Sequence, residues 1–280
     1  MLGGQAQEAT GGSVALQAAR DATFHYHGPS FGDVRELVEL VFQNQLPVMR
    51  EEARKVFEAN AAKFREEFVR QLASSSKVSA QEFAKPDTQA TFQQALTGTA
   101  LKGDDADLEL VAAALVRRLE AAEEPLLKQV LESAIAVMPK LVRPQIAFLA
   151  FVHYAKRVRH ISATQLAQVE LMAAQVMPVL ESGLSLSAPN QQYLAGLGLL
   201  TLNPVASASL WLHDLHQTHS FLPPDMDQLR AAGCVHLCRL LEAYDTLQVP
   251  QAFPTLTGSA VGLLQLQRAL GKIDLSIWIR

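Results

Sequence analysis

No dinucleotide-binding GxGxxG fingerprint, phosphate loop, GxSxG elbow, HExxH pair or kinase signature occurs in the 280 residues. The usual sequence marks of nucleotide, acyl-transfer and zinc-hydrolase chemistry are therefore missing, and the expectation is a protein that is not an enzyme and needs no cofactor. Cysteine is scarce: Cys234 and Cys238 lie four apart within one apparent helix, which is no disulfide framework and suits a reducing compartment. Charge of one sign is lacking too, since 24 Lys and Arg face 28 Asp and Glu for a formal −4. No global field draws in nucleic acid or an anionic membrane, and binding to either needs a local patch. The most apolar window, Ile146 to Val152, is hemmed in by Arg143 and Lys156-Arg157 and falls well short of the ~20 residues of a membrane helix, so it reads as a buried core helix. The N-terminus has neither the basic region nor the apolar core of a signal peptide, and a cytoplasmic protein is expected. No repeat of fixed period is present.

What is present is apolar mass, 49% of the residues, in mostly helical patterns, so the fold class expected is mostly α: a multi-helical body with a short N-terminal β motif and long N-terminal helices. From Val34 to Leu72 the apolar positions recur at steps of three and four, through Val38, Val41, Phe42, Leu46, Phe57, Phe64 and Phe68. Pro47 divides or kinks that run. Residues 73–103 are rich in Ser, Thr, Gly and Pro and read as a loop or a short helix between loops. Four helices with short connections follow: Asp104 to Glu123, Glu124 to Val142 with Pro125 near its first position, Pro144 to Val158, and Ser162 to Glu181 with Ser162 as cap. Beyond Pro189 the pattern predicts a helix running through Gly196 and Gly198 into a short strand or turn. Helices at Val205 to Leu222 and Pro224 to Leu247, a Thr257-capped helix and a closing strand at Asp274 to Ile279 come next. The division expected is a β oligomerisation motif (1–29), a helical arm and linker (30–103), a helical bundle (104–188) and a C-terminal helical module (189–280).

One stretch departs from the helical pattern. In GGSVALQAARDATFHYHG, residues 11–28, Val14, Leu16, Ala18, Ala22, Phe24 and Tyr26 take the even positions while polar residues fall between most of them. This period of two predicts strand with one buried face, as a single strand, a hairpin or an arc turning at Ala19-Arg20-Asp21. Two short strands are marginal alone in water and present open edges. These six residues are therefore expected to join copies of the chain into a homo-oligomer, by closing a small barrel or a stacked sheet. The rival is pairing within one subunit, with Leu275 to Ile279 beside Val14 to Ala18.

Three groups invite a ligand. His213 and His216 on one predicted helix, with Cys234 and Cys238 on the next, are the residue types of a tetrahedral zinc set, although their spacing matches no common zinc module and buried packing explains the thiols as well. His25 and His27 form a second, weaker metal motif. Lys156, Arg157, Arg159 and His160, with Arg143 near the other end of the same helix, offer positive charge to a phosphate, or offset the helix dipole.

Two resemblances add to this reading. The opening GGSVALQAARDATFHYHG resembles a β motif found ahead of helical domains in bacterial conflict and phage-defence proteins. Together with FGDVRELVELVFQNQLPVMREEARKVFE and LLKQVLESAIAVMPKLVRPQIAFLAFVHYA it resembles an uncharacterised bacterial family carrying LPO/Vpar locus-tag names, over residues 11–155. The resemblance implies a cytoplasmic bacterial protein encoded among mobile or defence genes, with a phage protein or the product of a neighbouring gene as a partner; it carries over no site residue. The C-terminal order of elements resembles a winged-helix module with an insertion, which sets a nucleic-acid-binding regulator beside the self-assembling sensor, scaffold or effector. Gln191 to Leu222 contains no Lys or Arg, which counts against that regulator. A membrane-acting effector exposing Ile146 to Tyr154 is the third reading.

Overall fold

Helix starts in this chain are written by prolines and by short polar side chains. Pro86, Pro125, Pro144 and Pro189 each occupy the first or second position of a helix, where the missing N–H costs nothing. Asp107, Asp225 and Thr255 each accept a hydrogen bond from the backbone N–H three residues on, which satisfies an otherwise orphaned donor. The computed structural model describes residues 51–279 apart from 76, 77, 79, 122, 123, 160, 161 and 206–210.

The elements in order are α1 (Glu51–Ala73), α2 (Ala80–Phe83), α3 (Pro86–Lys102), α4 (Leu108–Glu120), α5 (Pro125–Val137), α6 (Arg143–Arg157), α7 (Leu166–Leu180), α8 (Ala188–Gly196), β1 (Leu200–Leu202), α9 (Trp211–Thr218), α10 (Met226–Ala231), α11 (Val235–Thr246), β2 (Ala252–Pro254) and α12 (Leu256–Leu270). The protein is mostly α: among the described residues twelve helices accompany a single antiparallel pair, in which Thr201 faces Phe253.

One apolar cluster runs from Phe57 to Ile279. At its N-terminal end Phe68 lies 5.3 Å from Phe92 and 6.2 Å from Phe83, both edge-on, so an aromatic group binds α1 to α2 and α3. At its centre is α6, whose residues 145–155 are all buried. Neighbouring backbone reaches it through glycines. A Cβ on Gly183 would meet the Phe148 nitrogen at 2.3 Å, and one on Gly262 of α12 would meet the Leu149 oxygen at 2.8 Å. The IAFLAFV run is thus the innermost helix, as its apolar character all round predicts. No helix among the described residues is long and apolar enough to cross a membrane.

Several elements differ from the sequence reading. Residues 86–102, expected as loop or short helix, form a helix of 17 residues. Its threonines tolerate helical backbone because Thr91 and Thr99 return their hydroxyl protons to the carbonyls of Asp87 and Ala95. Asp104 and Asp105 sit in a 3-10 turn, and the cap of α4 is Asp107. Ser162 lies in a turn ahead of α7, whose start is fixed by the Gln168 side chain accepting from the Thr164 N–H at 2.7 Å. The described part of the Val205 to Leu222 helix is Trp211–Thr218, with Val205 in a turn. The expected helix from Pro224 to Leu247 is split into α10 and α11 at Gly233, whose φ of 82° belongs to the left-handed region. The cap of α12 is Thr255 rather than Thr257.

The closing strand is also absent. Leu275–Ile277 is a 3-10 turn begun by Asp274, which accepts from the Ser276 N–H. The strand that pairs with β1 is β2, and the within-subunit rival for residues 14–18 loses the strand it required. Val14, Leu16, Ala18, Ala22, Phe24, Tyr26, His25 and His27 lie outside the described residues, as does His160.

Candidate functional site

The deeply placed ionisable groups mostly hold helices together. Arg118 of α4 is fully buried: its Nη1 donates to the Thr88 hydroxyl at 2.7 Å, its Nη2 to Asp87 at 2.9 Å and to Glu132 of α5 at 2.6 Å, and its Nε to Glu132 at 3.0 Å. Asp87, at the start of α3, also receives Lys128 at 2.6 Å. That ammonium, followed by the Thr88 backbone and Arg118, holds the Asp87 carboxyl down at about 2. A second lock joins residues 161 apart in sequence, where Arg268 of α12 grips both oxygens of Asp107 and reaches Glu109 at 2.9 Å. A third is made by Glu170 of α7, which accepts the backbone N–H groups of His236 and Leu237 and the His236 ring nitrogen at 2.8 Å. This carboxylate from another helix caps the positive end of α11.

Among the described residues, two of the concavities on this framework are roomy. A cleft of about 730 Å³ is lined by α1, the start of α4, and parts of α6, α7 and α12. Its ionisable side chains are largely paired with one another: Lys63 with Asp104, and Arg268 with Asp107 and Glu109. Arg143 also lines it. A groove of about 670 Å³ runs along the outer side of α3, bounded by Glu132. Apart from Glu132 its lining is uncharged, with Gln93, Gln94, Thr91 and Thr97 beside Ala90 and Leu101.

The zinc candidates are not gathered. His213 shares a hydrogen with Gln217 at 2.9 Å, and His216 meets the Leu222 carbonyl at 2.7 Å. Cys234 and Cys238 are free and buried, and burial raises both thiols above their ordinary value. Among the described residues no group of three or more His, Cys, Asp and Glu is placed to hold a metal ion. Of the basic residues, Arg143 and Arg157 are the two ends of α6, as expected, about 21 Å apart at 1.5 Å per residue. Lys156 donates to the Pro250 carbonyl at 2.9 Å and sits 3.6 Å over the Phe253 ring. Burial, with Arg157 nearby, brings its amine down to about 8.

His153 gave no signal in the sequence beyond its place in an apolar run. It is buried in α6 with neither ring nitrogen hydrogen-bonded, and the Trp278 ring stands edge-on 5.2 Å away. Burial, and secondarily Arg157, pulls it down to about 4, so it is neutral at pH 7. The burial of Arg118 gave no signal either, since two adjacent arginines late in a helix read as surface charges that offset its dipole.

The model of one protein family, bearing only a "-like" description built on a locus tag, matches residues 28–222. The match begins at Gly28, the last residue of the N-terminal alternating stretch, and extends beyond residue 155 to Leu222, four residues past α9. No curated protein and no solved structure matches the chain.

Proposed function

Given that the chain belongs to this uncharacterised family over residues 28–222, we propose that it is a non-enzymatic, self-assembling protein, a sensor, scaffold or effector of bacterial anti-phage defence acting in the cytoplasm. Residues 14–26 join the copies and the helical body presents a binding face to a protein partner. The link to defence rests on the resemblance of the opening motif alone.

The observation that supports a binding role is where charge is missing. α7 carries one ionisable side chain, Glu170, and it is turned onto α11. The exposed residues of α7, among them Ala167, Gln168, Leu171, Gln175 and Pro178, are uncharged. Leu171 and Val235 flank the Glu170 contact and are 68% and 69% exposed. Depletion of charge around exposed apolar side chains is the composition of an interface centre. For nucleic acid the balance is unfavourable: residues 211–246 hold five carboxylates against Arg230 and Arg239, and those arginines are paired with Asp227, Glu242 and Glu181.

Size-exclusion chromatography with light scattering tests the assembly. The full chain is expected to elute as an oligomer and the Leu16→Asp/Phe24→Asp variant as a monomer, while Leu171→Glu leaves the oligomer intact. A monomer before any substitution, or an oligomer that survives both aspartates, contradicts it.

A further inference from the structure

We infer that the side-chain amine of Lys156 is a site of acylation, and that the reagents it takes are acyl phosphates. The other lysines are held by carboxylates or stand in water. Lys55, Lys63, Lys85, Lys128 and Lys272 each pair with a carboxylate, and Lys102 and Lys140 are exposed. Lys156, in the last turn of α6, is placed differently. Its Nζ donates to the carbonyl of Pro250, in the 3-10 turn Val249–Gln251 ahead of β2, and stands 3.6 Å over the Phe253 ring. No carboxylate among the described residues pairs with it. A neutral carbonyl and a ring hold an ammonium less firmly than a carboxylate does, and half-burial takes away water that would favour the charge. The Phe253 ring is 43% exposed, so the nitrogen is withdrawn from bulk water yet within reach of a small reagent.

Two further cations define the reagent. Arg157 and Arg159 are exposed beside Lys156, and among the described residues neither pairs with a carboxylate. Arg159 donates to the neighbouring Val158 carbonyl at 3.2 Å. Elsewhere in the body Arg70, Arg117, Arg118, Arg230, Arg239 and Arg268 are all paired with carboxylates. Offsetting the helix dipole accounts for positive charge in a last turn, but not for a lysine turned onto β2. Guanidinium groups free of carboxylates suit a phosphate, and an unprotonated amine suits the acyl carbon joined to it. In the step, the Nζ lone pair forms a bond to the acyl carbon and the bond from that carbon to the phosphate oxygen breaks. The proton lost by nitrogen leaves on the phosphate. The product amide keeps one N–H for the Pro250 carbonyl, so the fold is retained while this end of α6 loses one of its three positive charges. This chemistry is independent of whether copies join through residues 14–26.

The test incubates the full chain with acetyl phosphate at pH 7.5 and follows each lysine by peptide mass spectrometry. With its amine at about 8, about a quarter of Lys156 is unprotonated there, against about one in a thousand for an ordinary lysine. Lys156 is therefore expected to acetylate at least about tenfold faster than Lys102 and Lys140, with a rate that levels off above about pH 8. Arg157→Gln with Arg159→Gln, both at exposed positions, separates the two parts of the inference. The ratio of the Lys156 rate with acetyl phosphate to that with a neutral acetyl thioester is expected to fall at least about threefold. Taking the ratio removes any effect of Arg157 on the basicity of the amine. Equal rates at Lys156, Lys102 and Lys140 overturn the inference, as does a preference for Lys156 that persists in concentrated urea. An unchanged ratio in the arginine variant overturns the assignment to acyl phosphates.

Discussion

Arg118 and His153 carry opposite lessons at the scale of single residues. Arg118 is buried with its donors met by Asp87, Thr88 and Glu132, and removing one member of such a network strands the others. Arg118→Ala is expected to cost about 3 kcal/mol, the lower end of the range for a broken buried pair because both carboxylates keep contact with water. Arg118→Met, which retains most of the volume, is expected to cost less. Urea denaturation of the two variants checks the order, and equal losses would place the energy in the hydrogen-bonded charge network alone. His153 is buried without a partner, and its folded value of about 4 lies below the ordinary 6.5. The unfolded chain therefore takes up a proton first, so this residue leaves stability untouched above pH 6.5 and lowers it as pH falls toward 4. Between pH 7 and 4.5 the loss from this one group is about 2 kcal/mol. His153→Leu should lose that much less over the same interval in paired denaturation curves, and an unchanged pH slope would mean that the ring finds a proton acceptor.

At the scale of elements, glycine sets how closely the layers meet. A Cβ on Gly258, in the first turn of α12, would stand 2.0 Å from the Leu199 carbonyl oxygen at the start of β1, where backbone cannot step aside. Gly258→Ala is expected to cost about 3 kcal/mol, whereas alanine at Gly196, with nothing nearby, should be tolerated; thermal unfolding of both distinguishes close approach from helix propensity. Helices with strong periodicity or a leading proline were legible in the sequence, α5 and α6 above all, because one residue fixes the first turn and apolar side chains fill the inner face. What misled the reading was local chemistry that tertiary contacts override. The Thr-containing stretch folded into α3, where Thr91 and Thr99 turn their hydroxyls back on the helix and Phe92, Ala95 and Leu96 are buried. The alternation of Leu275, Ile277 and Ile279 gave a turn, since Asp274 caps it and Leu275 and Ile279 are buried. Of the site residues, none of the locks made by Arg118, Arg268 and Glu170 was legible. Each joins positions at least 14 apart, a distance that no periodicity spans.

For the whole molecule, the helical body pairs its buried charges with one another and leaves uncharged exposed residues on α7 and along α3. In the proposed assembly the alternating segment before it is a second, separate means of contact. If that segment closes only with copies of itself, association depends on residues 14–26 and is insensitive to changes on α7. The most direct measurement is sedimentation equilibrium of the unaltered full chain over a dilution series. The account predicts a mass that is an integral multiple, two or more, of the 30.5 kDa chain; a mass of one chain at every concentration contradicts it.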